Sequence, residues 1–352
     1  TNPFVSKKVI NDHNEKFDKP AIIISNHTSF LDTLAVGMLN PKIIFLVNDW
    51  VYNSPVFGRA VKLAGFYPVS QGLEGGVEHL REKINEGFSL VIFPEGQRSE
   101  DNGVKRFHKG AFYLSKEFNV AILPIYIHGN ADALPKGDHI IYDEQITVKI
   151  GERIEATDVT FGNDYAEKTK KISKYFKENF NSLRGELEDE NYFKNKLLLS
   201  FLYKEREIVA SVRSDFDKNK TLYFKLNKKI DSDAKVLHLA NDYGQLDVLL
   251  TLQESKRKIQ SYIVDEQKRN VAKTNYILKK RSIDYLDSVL ENDKKWNTLL
   301  ISNVDSAIVK ALDWPNSASQ VVLMGSFELE NYFISLGFVV VNQEYEILVL
   351  KK

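Results

Sequence analysis

Short apolar runs rich in β-branched residues alternate along the chain with amphipathic stretches of helical period. Residues 21–25 read as a buried strand and 30–39 as a helix. Residues 43–47 form a second strand. Residues 77–86 place Val77, Leu80 and Ile84 on one stripe of a helix, with Gly87 as its stop. A strand over 90–93, a helix over 110–117 and a strand over 121–127 complete the set. Strands alternating with helices predict a largely parallel α/β layer.

A charged amphipathic helix is expected over 164–188, with Ile172, Phe176, Phe180 and Leu183 at helical spacing. Residues 185–191 are strongly acidic and mark a hinge or an exposed helix end. The boundary is therefore set there, giving domains 1–188 and 189–352. The alternation then restarts: strand 235–239, helix 247–252, strand 260–264 and helix 268–279. Strands 298–302, 320–324, 337–341 and 346–350 follow, the last two as an antiparallel hairpin through 342–345.

The chain length of 352 residues suits two domains, and 43% hydrophobic residues supply a core for each. Basic and acidic residues both number 48, so no global field draws in nucleic acid, and none is expected as a partner. Absence of cysteine excludes disulfides, thiolate metal sites and a cysteine nucleophile. No metal is expected. No run approaches the roughly 20 apolar residues that span a bilayer. No signal peptide is visible, and the chain opens on Thr1, as a piece cut from a longer protein would.

Two blocks carry chemistry, each directly after a buried strand, where parallel sheets build their sites. The first is Asn26-His27-Thr28-Ser29-Phe30-Leu31-Asp32; the second is Phe93-Pro94-Glu95-Gly96-Gln97-Arg98-Ser99. Within one regular helix, positions five apart lie roughly 140° from each other. His27 and Asp32 meet only if His27 precedes the helix and Asp32 sits in its first turns, with Thr28 and Ser29 as candidate caps. A carboxylate on one ring nitrogen fixes the tautomer and leaves the other nitrogen to take a hydroxyl proton. Gly96 permits close backbone approach, and its N–H is placed to stabilise the oxyanion of an attacked thioester. By themselves the pair reads more readily as structural than as catalytic, and Pro-Glu-Gly as a turn.

Together the blocks resemble the lysophospholipid acyltransferase family over roughly residues 20 to 155. Its glycerolipid members carry Asn-His-x-x-x-x-Asp and Phe-Pro-Glu-Gly-x-x-Ser. The resemblance implies His27 as base, Asp32 as its orienting group, and Gly96 at the reacting centre. It implies Asn26, Ser29, Glu95, Arg98, Ser99 and Lys109 as substrate-binding positions. The expected donor is acyl-CoA or acyl carrier protein, the acceptor a lipid, and no cofactor is required. Residues 107–111 resemble the family's basic segment, and 123–125 its later apolar strand with proline. One position departs: Gln71, also a substrate-binding candidate, stands where the family has an arginine for the acceptor's phosphate. Charge-assisted bonds to phosphate are roughly twice as strong as neutral ones. Arg98, Lys105, Arg106 or Lys109 compensates, or the acceptor is a non-phosphate alcohol or amine. Aromatic and apolar residues over 50–66 line an acyl pocket, meet a membrane surface, or are ordinary core.

In the second half, Val236-Leu237-His238-Leu239-Ala240-Asn241-Asp242-Tyr243-Gly244 has the layout of a nucleotide-binding first loop, and Asp265 follows the next strand. This resembles a class I S-adenosylmethionine-dependent methyltransferase over roughly 195–352. His238 replaces the expected acid, and Ala240 and Asp242 stand at glycine positions. Gly244 and Asp265 remain as cofactor-binding candidates, but a degenerate domain is expected, with no S-adenosylmethionine bound. The order of the two halves resembles the soluble part of a three-part exporter, acyltransferase and methyltransferase protein. That places the chain at the cytoplasmic face of a membrane, peripheral or joined to an upstream membrane domain. The competing readings are a non-catalytic scaffold for lipid or a partner, and an active methyltransferase in the second half.

Overall fold

The computed structural model describes residues 6–47, 49–55, 58–63, 66–68, 76–99, 103–134, 145–289, 296–311, 318–325 and 327–352. Gln71 lies outside them. The chain divides into two compact units, Thr1–Gly185 and Glu186–Lys352.

In the first unit the strands are β1 (Lys7–Ile10), β2 (Ala21–Ser25), β3 (Ile43–Val47), β4 (Tyr67–Pro68), β5 (Ser89–Ile92), β6 (Ala121–His128) and β7 (Ile146–Ile150). The helices are α1 (Leu31–Gly37), α2 (Asp49–Tyr52), α3 (Gly58–Leu63), α4 (Gly76–Asn85), α5 (Gly110–Phe118), α6 (Asn130–Ala133) and α7 (Tyr165–Leu187). The strand order is β1-β7-β6-β2-β5-β3-β4. Among the described strand pairs of this unit, only β6–β7 is antiparallel. β2 is buried at every position, as expected of a central parallel strand covered on both faces. Ala21 and Ile23 pack on one side with Val36, Val91, Leu123 and Ile125. Phe176 of α7 meets Tyr126 and Phe107 in another aromatic cluster.

Gly87 ends α4 as its position suggests. Its φ of +88° suits glycine, and the Phe88 and Gly87 N–H groups bond back to Lys83 and Ile84. Strands β1 and β7 were not expected from the pattern. β1 is an exposed lysine-bearing edge that becomes a strand only through its pairing with β7.

The second unit holds β8 (Lys235–Ala240), β9 (Lys258–Ile263), β10 (Ile283–Tyr285), β11 (Thr298–Ser302), β12 (Gln320–Met324), β13 (Val339–Glu344) and β14 (Ile347–Lys351). Its helices are α8 (Lys194–Ser200), α9 (Arg206–Asn227), α10 (Gln245–Gln253), α11 (Glu266–Lys273), α12 (Ser306–Ala311) and α13 (Glu330–Ser335). The strand order is β10-β9-β8-β11-β12-β14-β13. β10 to β12 run parallel, and the β14–β13 hairpin closes one edge antiparallel. Counted within the unit, this is the doubly wound 3-2-1-4-5 order of Rossmann-like sheets. One face packs with Val212, Phe216 and Leu226 of α9, the other with Val309 and Phe333.

Two expectations change here. The helix over 268–279 is two pieces. α11 ends at Lys273, and the Asn275 side chain accepts from Ile277 N–H to start a separate 3-10 turn, Tyr276–Lys280. The hairpin turns later than 342–345: β13 extends to Glu344, which pairs with Ile347. Tyr345, at φ 53°, takes the left-handed conformation that a two-residue turn needs.

Arg257 braces the second unit from inside. Only 1% exposed, it donates to the carbonyls of Asn227 at the end of α9 and of Ile230 and Asp231 after it, to Leu250 in α10, and to Asn227 Oδ1. Arg257→Ala leaves several buried carbonyls without donors and is expected to destabilise the unit by about 3–5 kcal/mol in urea denaturation. Arg257→Lys, with three donors instead of five, should recover only part.

Candidate active site

Strands β2 and β5 are hydrogen-bonded neighbours, with Ile24 opposite Ile92. The two chemical blocks therefore leave the same sheet edge side by side. His27 precedes α1, and Asp32 is the second residue of α1, fully buried. His27 Nδ1 lies 3.0 Å from Asp32 Oδ2. That oxygen also accepts from the backbone N–H groups of Thr28 (2.6 Å) and Ser29 (2.8 Å). Thr28 and Ser29 were expected to cap the helix with their side chains. Instead the carboxylate of Asp32 reaches back to their N–H groups, and Ser29 Oγ takes a weak bond from Leu31 N–H. The fourth donor is Asn130 Nδ2, 2.7 Å from Asp32 Oδ1.

The His27 ring stacks on Phe93, with centroids 4.1 Å apart and planes 17° from parallel. It keeps 20% exposure, and Nε2 takes no protein partner among the described residues. The peptide groups of His27 are tied to the second block: its N–H donates to Glu95 Oε1 (2.8 Å), and its carbonyl accepts from Ser99 N–H (2.6 Å). The structure thus offers one oriented imidazole with a free nitrogen facing an open side.

Several expected substrate contacts belong to the scaffold instead. Asn26 is fully buried and pairs both ends of its amide with the Ile127 backbone, as another strand would. Ser29 Oγ donates to the Leu134 carbonyl. Glu95 is 3% exposed, and its carboxylate accepts from the His27 and Lys105 N–H groups, so it ties the two blocks together. Ser99 is buried, with its backbone on His27. Arg98 is half-buried and Lys109 exposed, so both retain access to solvent.

Gly96 requires a further correction. Its φ of +71° suits glycine, and the residue is exposed, but its N–H donates to the Phe93 carbonyl at 3.0 Å. An N–H closed into its own turn is not an oxyanion donor. The ring of His108 covers Gly96 so closely that a Cβ there would stand 3.2 Å from Cδ2.

The second unit carries its own buried polar chain. His238 Nδ1 is 2.6 Å from Asp247 Oδ1, and Nε2 is 2.7 Å from Ser302 Oγ. All three are 0% exposed, so this order of groups is walled off from any substrate. Burial opposes charge on His238, but the Asp247 carboxylate and then Asp242 hold its pKa above the ordinary value. Burial, with the Asp247 charge, pushes Asp242 up to about 6. The sequence marked His238 only as a missing acid; its partners come from β11 and α10.

The cofactor candidates are likewise taken by the protein. Gly244 has φ +81°, but a Cβ there would meet Tyr285 Oη at 2.2 Å, so the close approach it permits is made by Tyr285. Its N–H donates to Asp242 Oδ1 at 2.8 Å. Asp265 caps α11, accepting from Lys268 N–H. The space beside Gly244 and its N–H group are thus engaged by Tyr285 and Asp242. Among the described residues no cluster of three or more His, Asp or Glu suits a metal ion.

Burial pushes the Glu95 carboxyl up to about 7, against the Lys105 and His27 N–H bonds and with the Asp32 charge. The folded chain therefore holds a proton that the unfolded chain releases near 4.5. Glu95 contributes fully below that pH and loses its contribution as pH rises towards about 7. The stability of the wild type relative to Glu95→Gln is expected to fall by about 3 kcal/mol across this window. Urea denaturation at a series of pH values measures it, and a flat difference contradicts it.

Residues 7–128 match the family model described as Acyltransferase. The chloroplastic 1-acyl-sn-glycerol-3-phosphate acyltransferase of Arabidopsis thaliana is 33% identical over 124 residues, 34% of this chain and 35% of that protein. The Homo sapiens 1-acyl-sn-glycerol-3-phosphate acyltransferase beta is 25% identical, covering 40% of this chain and 53% of that one. A lyso-ornithine lipid O-acyltransferase of Pseudomonas aeruginosa is 28% identical, covering 33% and 46%. The chain thus spans about a third to a half of the length of these curated relatives. Among solved structures, the 1-acyl-sn-glycerophosphate acyltransferase PlsC from Thermotoga maritima aligns with TM-score 0.43 and 22% identity, over 51% of this chain and 73% of that one. M. capricolum TrmK in complex with S-adenosyl-homocysteine aligns with TM-score 0.31 and 14% identity, over 37% and 67%. Residues 7–128 thus carry the paired blocks and match the Acyltransferase family model, and the second unit is Rossmann-like in its strand order.

Proposed function

We propose that the first unit transfers an acyl group from a thioester donor, acyl-CoA or acyl carrier protein, to a hydroxyl of a lipid or lipid-like acceptor. The observation that carries this reading is the oriented His27–Asp32 pair with Nε2 open beside the second block. Asp32 holds the proton on Nδ1, and Nε2 accepts the acceptor's hydroxyl proton as oxygen attacks the thioester carbon. The new C–O bond forms, the C–S bond breaks, and the proton passes from Nε2 to the departing thiolate. With Gly96 N–H engaged, the oxyanion donors fall to Gln97 and Arg98, whose N–H groups have no partner among the described residues.

A lipid surface suits the surroundings. Phe30, Leu34 and Met38 follow His27 on and around α1 and are 45–62% exposed, with Trp50 at 69%. An apolar groove of about 350 Å³ opens beside them, lined by Thr33, Leu34, Met38, Phe45 and Phe66. No described helix is long and apolar enough to cross a membrane. We place the chain at a membrane surface as a peripheral unit or as part of a larger protein. The second unit acts as a structural or partner-binding domain without S-adenosylmethionine, supported by Tyr285 against Gly244.

His27→Ala and Asp32→Ala are each expected to lower acyl transfer by about 10²–10⁴-fold. Release of free thiol from palmitoyl-CoA in the presence of a lysolipid measures this, and full activity in either folded variant overturns the mechanism. The acceptor is expected to lack a phosphate, because Gln71 offers no charge. Turnover with monoacylglycerol or a lyso-aminolipid should exceed that with lysophosphatidic acid, and Gln71→Arg should shift the preference towards the phosphate. The opposite order, unchanged by Gln71→Arg, contradicts this acceptor.

A further inference from the structure

The block that carries His27 and Asp32 is fastened to the far end of β6. Asn26 pairs with Ile127, Ser29 Oγ donates to the Leu134 carbonyl, and Asn130 Nδ2 donates to Asp32 Oδ1. The first two links hold the backbone of the block. The third reaches the carboxylate itself.

We propose that Asn130 is a positioning residue for the acid–base pair, acting on His27 through Asp32. This rests on His27 being the base. Asp32 Oδ2 collects three donors: the Thr28 and Ser29 N–H groups and the imidazole. Asn130 is the donor that the structure gives to Oδ1, at 2.7 Å, and both residues are 0% exposed. An ionised carboxylate only accepts, so the amide must present its nitrogen to Asp32. With Oδ1 held, the carboxylate cannot turn about its own axis, and Oδ2 stays aimed at Nδ1. Without that donor, the buried oxygen is uncompensated and the carboxylate turns to find another. The imidazole then loses the alignment that points Nε2 at the open side.

The local chain explains why an asparagine fits there. β6 ends at His128, and Gly129 turns with φ +87°. A Cβ on Gly129 would overlap the Gln145 carbonyl at 2.1 Å, so only glycine makes this turn. The turn places residue 130 at the start of α6 with its side chain directed under α1 towards Asp32. In the sequence, a polar residue just after a strand-ending glycine is an ordinary turn signal. Its partner 98 positions away is visible only in the fold.

The test compares Asn130→Leu, which is close in size and donates nothing, with Asn130→Ser, which keeps a shorter donor. Two readouts are taken: steady-state kinetics with palmitoyl-CoA and a lysolipid, and the His27 ring nitrogens by ¹⁵N NMR across a pH series, assigned by the signal lost in His27→Ala. Asn130→Leu is expected to lower kcat about 10- to 100-fold, the scale of a lost bond to a charged group, with KM changed less than about twofold. The titration of His27 should shift, and Asn130→Ser should recover part of both effects. Unchanged kcat and an unchanged His27 titration in Asn130→Leu overturn the proposal. Should Asn130→Leu not fold, Asn130→Ala, which also donates nothing, decides: a lowered kcat with a shifted titration supports it, and wild-type values of both overturn it. Full activity in His27→Ala would instead remove the underlying reading, and the NMR result would then stand as structural only.

Discussion

A carboxylate taken out of water is tolerated only when hydrogen-bond donors replace its hydration. Asp32 is fully buried and is met by four donors, from Thr28, Ser29, His27 and Asn130. Those donors come from a loop, a ring and a separate strand end, so satisfying one side chain assembles the site. The backbone of residues 27–29 curls around the carboxylate because its N–H groups have to reach it. Remove the carboxylate, and the Thr28 and Ser29 N–H groups lose the acceptor they turn towards.

Glu95 does the same for the other half. Its carboxylate joins the His27 and Lys105 N–H groups, and Ser99 N–H returns to the His27 carbonyl. One buried acid shapes the first block and the other ties it to the second, and Phe93 supplies a flat floor for the imidazole. What stays accessible is a small remainder: one edge of the imidazole, the Gly96–Gln97 turn and the half-buried Arg98. Most of the polar residues in the blocks are framework, and few are free for a substrate.

In the second unit the polar groups of the loop after β8 turn inward. Asp242 bonds the N–H of Gly244, Tyr285 fills the space beside it, and His238 joins Asp247 to Ser302. A Rossmann-like sheet keeps its strand order under these changes, because the order depends on the apolar faces of β8 to β12 rather than on the loop.

By itself the sequence determined the strands β2, β3, β5, β6, β8, β11 and β12, because each is a continuous apolar run whose burial needs no partner to recognise. It also displayed the His27-to-Asp32 spacing and the Phe93-Pro94-Glu95-Gly96 run that carry the resemblance to the acyltransferase family. Edge strand β1 escaped it because an exposed strand is made by its neighbour and not by its own pattern. So did Asn130 on Asp32, Glu95 on His27 and Tyr285 on Gly244, each a contact between residues more than 40 positions apart. Only the tertiary structure decided which blocks stand side by side, since that follows from β2 pairing with β5. It also decided that Gly96 N–H closes a turn, since a backbone donor is free or engaged according to φ and ψ, which residue identity alone does not set.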